Sequence, residues 1–149
     1  MAETIDIRPA RPEDASELAR LSTQLGYPMT AARAETQLAA LAGHGDHALL
    51  VAASGGRLDG WIQVSFSRIF ESPATAEIAG LVVDEDRRGA GIGPRLVSAA
   101  EDWARGRGCA AIRVRSNVVR ERAHRFYERE GYARIKVQQV FEKPLPKKP

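Results

Sequence analysis

The chain has little with which to bind a metal or form a disulfide. Its 149 residues include one cysteine, Cys109, and three histidines, His44, His47 and His124. A single cysteine excludes an intramolecular disulfide, and these four residues fit no zinc-site spacing. Cys109 precedes the apolar run Ala110-Ala111-Ile112, where a buried, inert thiol is expected. Long apolar runs are also missing. The start, Met-Ala-Glu-Thr-Ile-Asp, lacks a signal core, and no run approaches membrane-spanning length. The expectation is a soluble, cytoplasmic protein with no membrane partner. Nor does charge of one sign prevail: Lys plus Arg number 22 and Asp plus Glu 19, for a net charge of +3. The basic residues are spread along the chain, which argues against a nucleic-acid partner. With 44% hydrophobic residues the chain is not disordered as a whole. Its length fits one domain over residues 1–149, ending in a flexible basic tail, Lys143-Pro-Leu-Pro-Lys-Lys-Pro.

What is present is a glycine-rich turn between a strand and a helix. Glu77-Ile-Ala-Gly-Leu-Val-Val83 reads as the strand, Asp84 to Gly93 as the turn, and Pro94 to Arg107 as the helix. Such a turn offers backbone N–H groups to an anion. Gly89, Gly91 and Gly93 permit close approach, and Arg87, Arg88 and Arg95 add positive charge, so a pyrophosphate cradle is expected. Two common phosphate motifs fail here. A P-loop would need a second glycine at position 94 or 96, as would the third glycine of a dinucleotide fingerprint; the residues are Pro94 and Leu96.

Around this turn the pattern alternates short strands and helices. Thr4 to Arg8 reads as a strand, Pro12 to Leu25 as a helix stopped by Gly26, and Thr30 as the N-cap of a second helix. Strands are expected at His47–Ala53, Leu58–Phe66, Ala76–Val83 and Ala111–Ser116, a helix at Arg120–Glu130, and final strands at Tyr132–Val137 and Gln138–Glu142. The order suggests a mixed α/β sheet.

Arg88-x-x-Gly91-x-Gly93 matches the Arg/Gln-x-x-Gly-x-Gly/Ala signature of the GNAT N-acetyltransferase superfamily, and Ala123-His-Arg-Phe-Tyr-Glu-Arg-Glu-Gly-Tyr132 resembles its second motif. The element order over nearly the whole chain also resembles that fold. Ser116-Asn117-x-x-Arg120-x-x-Ala-His-x-Phe-Tyr127 looks like the small-molecule branch of the family. The resemblance implies a mostly antiparallel sheet of six to seven strands, splayed between strands 4 and 5 and flanked by about four helices. It implies acetyl-CoA as cosubstrate and no metal. The amides of Arg88, Gly89, Ala90, Gly91, Ile92 and Gly93 would hold the pyrophosphate, and the backbone of Leu81, Val82 and Val83 would pair with pantetheine. Gly80, in mid-strand, is a candidate bulge.

Tyr127 matches the general acid of the family, with a core aromatic as the competing reading. Glu77 is the candidate base; alternation sets it on the face of Ala79 and Leu81, and it could act directly or through water. Where many members carry an Asn that binds pantetheine, this chain has Arg120; the nearest Asn is Asn117. The activity implied is acetyl transfer to a primary amine of a small molecule or peptide, by direct attack in a ternary complex, since neither motif holds a cysteine. A non-catalytic acyl-CoA-binding regulatory module is the alternative. Homodimers are common in the family, but no interface is legible here.

Overall fold

A computed structural model describes residues 4–116 and 120–148. The chain forms two compact units, Met1–Arg115 and Ser116–Pro149. The first holds a five-stranded sheet in the order β1 (Asp6–Pro9), β2 (His47–Ser54), β3 (Arg57–Ser67), β4 (Thr75–Val83), β5 (Ala111–Val114). The first four strands are antiparallel and β5 runs parallel to β4.

Helices α1 (Ala15–Gln24) and α2 (Ala31–Leu41) precede β2, and α3 (Ile92–Gly106) joins β4 to β5. Local chemistry explains their starts. Arg8 grips Asp14 with both terminal nitrogens at 2.8 and 3.0 Å, and Asp14 also accepts from the Arg11 amide at 2.7 Å, so β1 and the entry to α1 are stapled together. Thr30 caps α2 by accepting from the Arg33 amide at 3.1 Å. One face of the sheet packs on α1: Leu18 and Leu21 meet Val51, Ala53, Leu58 and Val82, with Trp61 and Leu38 at the margin. On the other face Gly60 leaves room for Ile92 and Leu96 of α3; a Cβ there would lie 3.1 Å from Leu96 and 2.6 Å from the Val82 carbonyl oxygen.

The second unit contains α4 (Glu121–Arg129). The expected strands at 132–137 and 138–142 do not form among the described residues, so the sheet has five strands rather than six or seven. Alternation of apolar residues makes a segment able to be a strand, but a strand exists only when another edge pairs with it. Here Val140 and Phe141 stand 86% and 89% exposed. The helix after the glycine turn begins at Ile92, two residues earlier than Pro94. Pro94 therefore sits within the first turn, where a missing N–H leaves no helical bond unmade.

Candidate active site

The glycine turn hangs on two buried carboxylates. Asp84, fully buried at the end of β4, accepts from Arg57 Nη2 at 2.6 Å, from Arg20 Nη1 at 2.9 Å and from the Asp86 amide at 3.1 Å. Burial works against its charge, but these donors outweigh it and hold the carboxyl well below the usual carboxylate range. Asp59, on β3, accepts from Ser54 Oγ at 2.8 Å, and its backbone carbonyl takes the Asp84 amide at 2.8 Å. Arg87 Nε lies 3.6 Å from Asp59 Oδ1. Arg87 is thus directed to the protein, and Arg95 donates to the Ile5 carbonyl at 3.0 Å. Of the three arginines expected to lend charge to a ligand, Arg88 is the exposed one on the turn itself.

From Arg88 the backbone opens outward. Gly89 and Gly91 adopt left-handed conformations, φ 85° and 79°, and a Cβ on either would meet nothing within 4 Å. The Ala90 amide donates to the Arg87 carbonyl at 3.3 Å, so it belongs to the turn and not to a cradle. Gly91 caps α3, and Ile92 and Gly93 occupy its first turn, where amides have no intrahelical acceptor and the helix dipole favours an anion. The Ile92 side chain is buried, which anchors the helix start.

Partway along β4, on the side toward the glycine turn, the sheet comes apart. Among the described residues the β4–β5 ladder covers Thr75 to Ile78 against Ala111 to Val114 and stops there. On its β3 side β4 continues to Val83, with a register shift: Val64 pairs with Ile78, and Gln63 with Gly80, leaving Ala79 as the extra residue. Directly opposed residues share a face, so the bulge reverses parity. Leu81, opposite Ile62, is on the α3 side, while Gly80 and Val82 lie on the face of Glu77. The expectation that Leu81 shares the face of Glu77 fails for this reason. The bulge itself falls beside Gly80, as its position in mid-strand suggests.

Glu77 stands next to the point where the strands part, and its side chain is one-third exposed. Arg115 Nε donates to Glu77 Oε1 at 2.5 Å. Sequence reading missed Arg115, although the period-two pair Arg113-Val-Arg115 signals two cations on one side of the chain at the end of β5. It also missed Asp59 and Asp84, whose signal was a carboxylate inside each of two apolar strand ends.

In the second unit, Tyr127 lies on α4 against Phe126 and Tyr132, in edge-to-face contacts with centroids 5.1 and 5.6 Å apart. Burial pushes its phenol up to about 12. Asn117 lies outside the described residues. Among the described residues no group of three or more His, Cys, Asp or Glu is placed to hold a metal, and no helix is long and apolar enough to cross a membrane.

A sheet parted beside a glycine-rich turn at a helix N-terminus is the architecture of a group of acyl-transfer enzymes. The Acetyltransferase (GNAT) family profile matches residues 13–132, and the chain belongs to that family. Among curated proteins, an aminoalkylphosphonate N-acetyltransferase of Salmonella typhimurium is 46% identical over 56 residues; the match spans 38% of this chain and 36% of that protein. Among solved structures, the aminoglycoside N-acetyltransferase AAC(6')-Iy in complex with CoA superposes with a TM-score of 0.85 at 16% identity, covering 96% of this chain and 97% of the other. Glucosamine-6-phosphate N-acetyltransferase from Arabidopsis thaliana gives 0.81 at 21% identity, with coverage of 94% and 99%. At these identities the two superpositions speak for the fold.

Proposed function

We propose that the protein moves an acetyl group from acetyl-CoA to a primary amine, by direct attack in a ternary complex. The observation that carries this reading is the parting of β4 from β5 beside Glu77, with the open glycine turn at the far end of the same strand. The residues fit the cosubstrate. A pyrophosphate would meet the amides of Gly89, Gly91, Ile92 and Gly93 and the side chain of Arg88, with open space at Gly89 and Gly91. The backbone of Leu81, Val82 and Val83 would pair with the pantetheine amides as an added strand. By motif resemblance Asn117 would join them.

Acetyl-CoA supplies an acyl group activated as a thioester. Glu77 takes a proton from the acceptor's ammonium, directly or through water. The freed amine attacks the carbonyl carbon; a C–N bond forms, the C–S bond breaks, the electron pair leaves on sulfur, and the nitrogen gives up its second proton to solvent as the neutral amide forms. By motif resemblance Tyr127 would serve the departing thiolate. A phenol near 12 facing a thiol near 8.5 makes full proton transfer uphill by about 5 kcal/mol, so Tyr127 works as a hydrogen-bond donor to developing charge and solvent supplies the final proton.

The test is CoA release across a panel of amines, with Glu77→Gln beside the wild type. The variant should lose roughly 100-fold in kcat/KM at neutral pH, its pH profile following the free amine of the acceptor, while binding acetyl-CoA normally. An unchanged profile would remove Glu77 as the base, and a chain that binds acetyl-CoA but releases no CoA with any amine would overturn the assigned activity.

A further inference from the structure

The sheet face that carries Glu77 has a polar row crossing four strands. His47 on β2 opposes Ser65 on β3, Ser65 opposes Glu77 on β4, and Glu77 opposes Arg113 on β5. Residues opposed in this way share a face. Arg115 follows Arg113 on the same face and holds Glu77 at 2.5 Å. Along the neighbouring strands this face continues into the apolar cluster under α1, with Val51, Trp61 and Val82. The polar row is therefore a distinct patch at the point where β4 and β5 part. His47 is fixed at one end by its contact with the Leu41 carbonyl at 3.0 Å. The other end is solvated: Arg113 is exposed, and the Arg115 side chain is 62% exposed.

The charges at that open end do not suit a simple cationic amine. The patch sets two guanidiniums beside one carboxylate. An acceptor bringing only an ammonium would add a third positive charge to it. An acceptor with an anion a bond or two from its amine would instead meet a complementary pair, its ammonium on Glu77 and its anion on the guanidiniums. Such a ligand replaces the Glu77–Arg115 contact with two contacts of the same kind. Arg is the side chain best shaped for this, because its planar fork takes a carboxylate or phosphonate two oxygens at a time.

We infer that the acceptor is a small zwitterionic amine whose carboxylate or phosphonate is held by Arg115 and Arg113 while its amine lies at Glu77. This rests on the acetyltransferase activity proposed above and narrows its acceptor. Arg113 and Arg115 are specificity-determining residues in this assignment.

Glycine and aminomethylphosphonate should be compared with glycinamide in CoA-release assays, with binding to the CoA-loaded protein measured by calorimetry. Glycinamide has the least basic amine of the three, so chemistry alone favours it. A preference of about 100-fold in kcat/KM for at least one anionic acceptor over glycinamide is expected, since a site built to bind a polar group rejects the analogue that lacks it. Glycine ahead of aminomethylphosphonate identifies a carboxylate, and the reverse a phosphonate. Arg115→Gln should collapse the preference mainly through KM, Arg115→Lys should restore part of it, and Arg105→Gln, altering an exposed pair on α3, should leave it intact. Equal use of glycinamide and both anionic amines, or a preference that survives Arg115→Gln together with Arg113→Gln, overturns the inference while leaving acetyl transfer standing. Should no amine release CoA, calorimetry decides: anionic amines binding in an Arg115-dependent way support the site, and no binding overturns it.

Discussion

The indole of Trp61 fills the space in which a side chain at position 80 would stand. A Cβ built on Gly80 would lie 2.8 Å from Cη2 and 2.9 Å from Cζ3 of that ring. Trp61 and Gly80 share the face that packs on α1, one register step apart across the β3–β4 ladder. The bulge at Ala79 and the indole are therefore parts of one packing solution. Gly80→Ala should lower the unfolding free energy by about 1–3 kcal/mol, the usual range for overpacking. Urea denaturation measures it, and a variant as stable as the wild type would show that the indole moves freely.

Gly91 begins α3 in a left-handed conformation that side chains adopt only at a cost. Gly91→Ala should destabilise the fold by about 1–2 kcal/mol. Because the strain falls on the turn proposed to face the pyrophosphate, acetyl-CoA affinity should fall by about 10-fold. Calorimetry with acetyl-CoA tests this; unchanged affinity in a destabilised variant would place the pyrophosphate elsewhere.

Asp84 ties β4 to Arg20 and Arg57, and removing it leaves two cations without that carboxylate. Asp84→Asn should cost about 2–3 kcal/mol at neutral pH, less than for a fully buried pair because both cations are partly solvated. Its carboxyl is held below the unfolded value, so its contribution is present above about pH 4 and fades as pH falls below that. The stability gap between wild type and Asp84→Asn should therefore narrow between pH 7 and pH 3. A gap independent of pH would mean that the carboxylate charge is not what holds the turn.

Tyr127→Phe keeps the ring contacts with Phe126 and Tyr132 and removes only the hydroxyl. If Tyr127 donates to the departing thiolate, kcat should fall by roughly 10- to 1000-fold, with the Kd for acetyl-CoA little changed. An undiminished kcat would reduce Tyr127 to a packing residue.

Much of this was legible from short stretches of chain. The Thr30 cap, the stop at Gly26 and the strand before the glycine turn were all readable, because each depends on residues a few positions apart. The same holds for Arg88, Gly91 and Gly93, whose spacing is itself the motif. Pro94 misled by two residues, since a proline anywhere in the first turn satisfies the same rule. The direction of Arg87 was illegible, because Asp59, its neighbour, lies on another strand.

The sequence by itself determined the family and the glycine turn before α3, since a glycine turn and a helix N-terminus are properties of consecutive residues. Tertiary structure decided what depends on pairing. The ladder of β3 on β4 placed one extra residue at Ala79 and so moved Leu81 to the face opposite Glu77. The ladder of β4 on β5 brought Arg113 and Arg115 beside Glu77. The segment 132–142, alternating like a strand, forms no strand among the described residues. Strand register and partner are set by contacts far apart in the chain, and the pattern of one segment does not contain them.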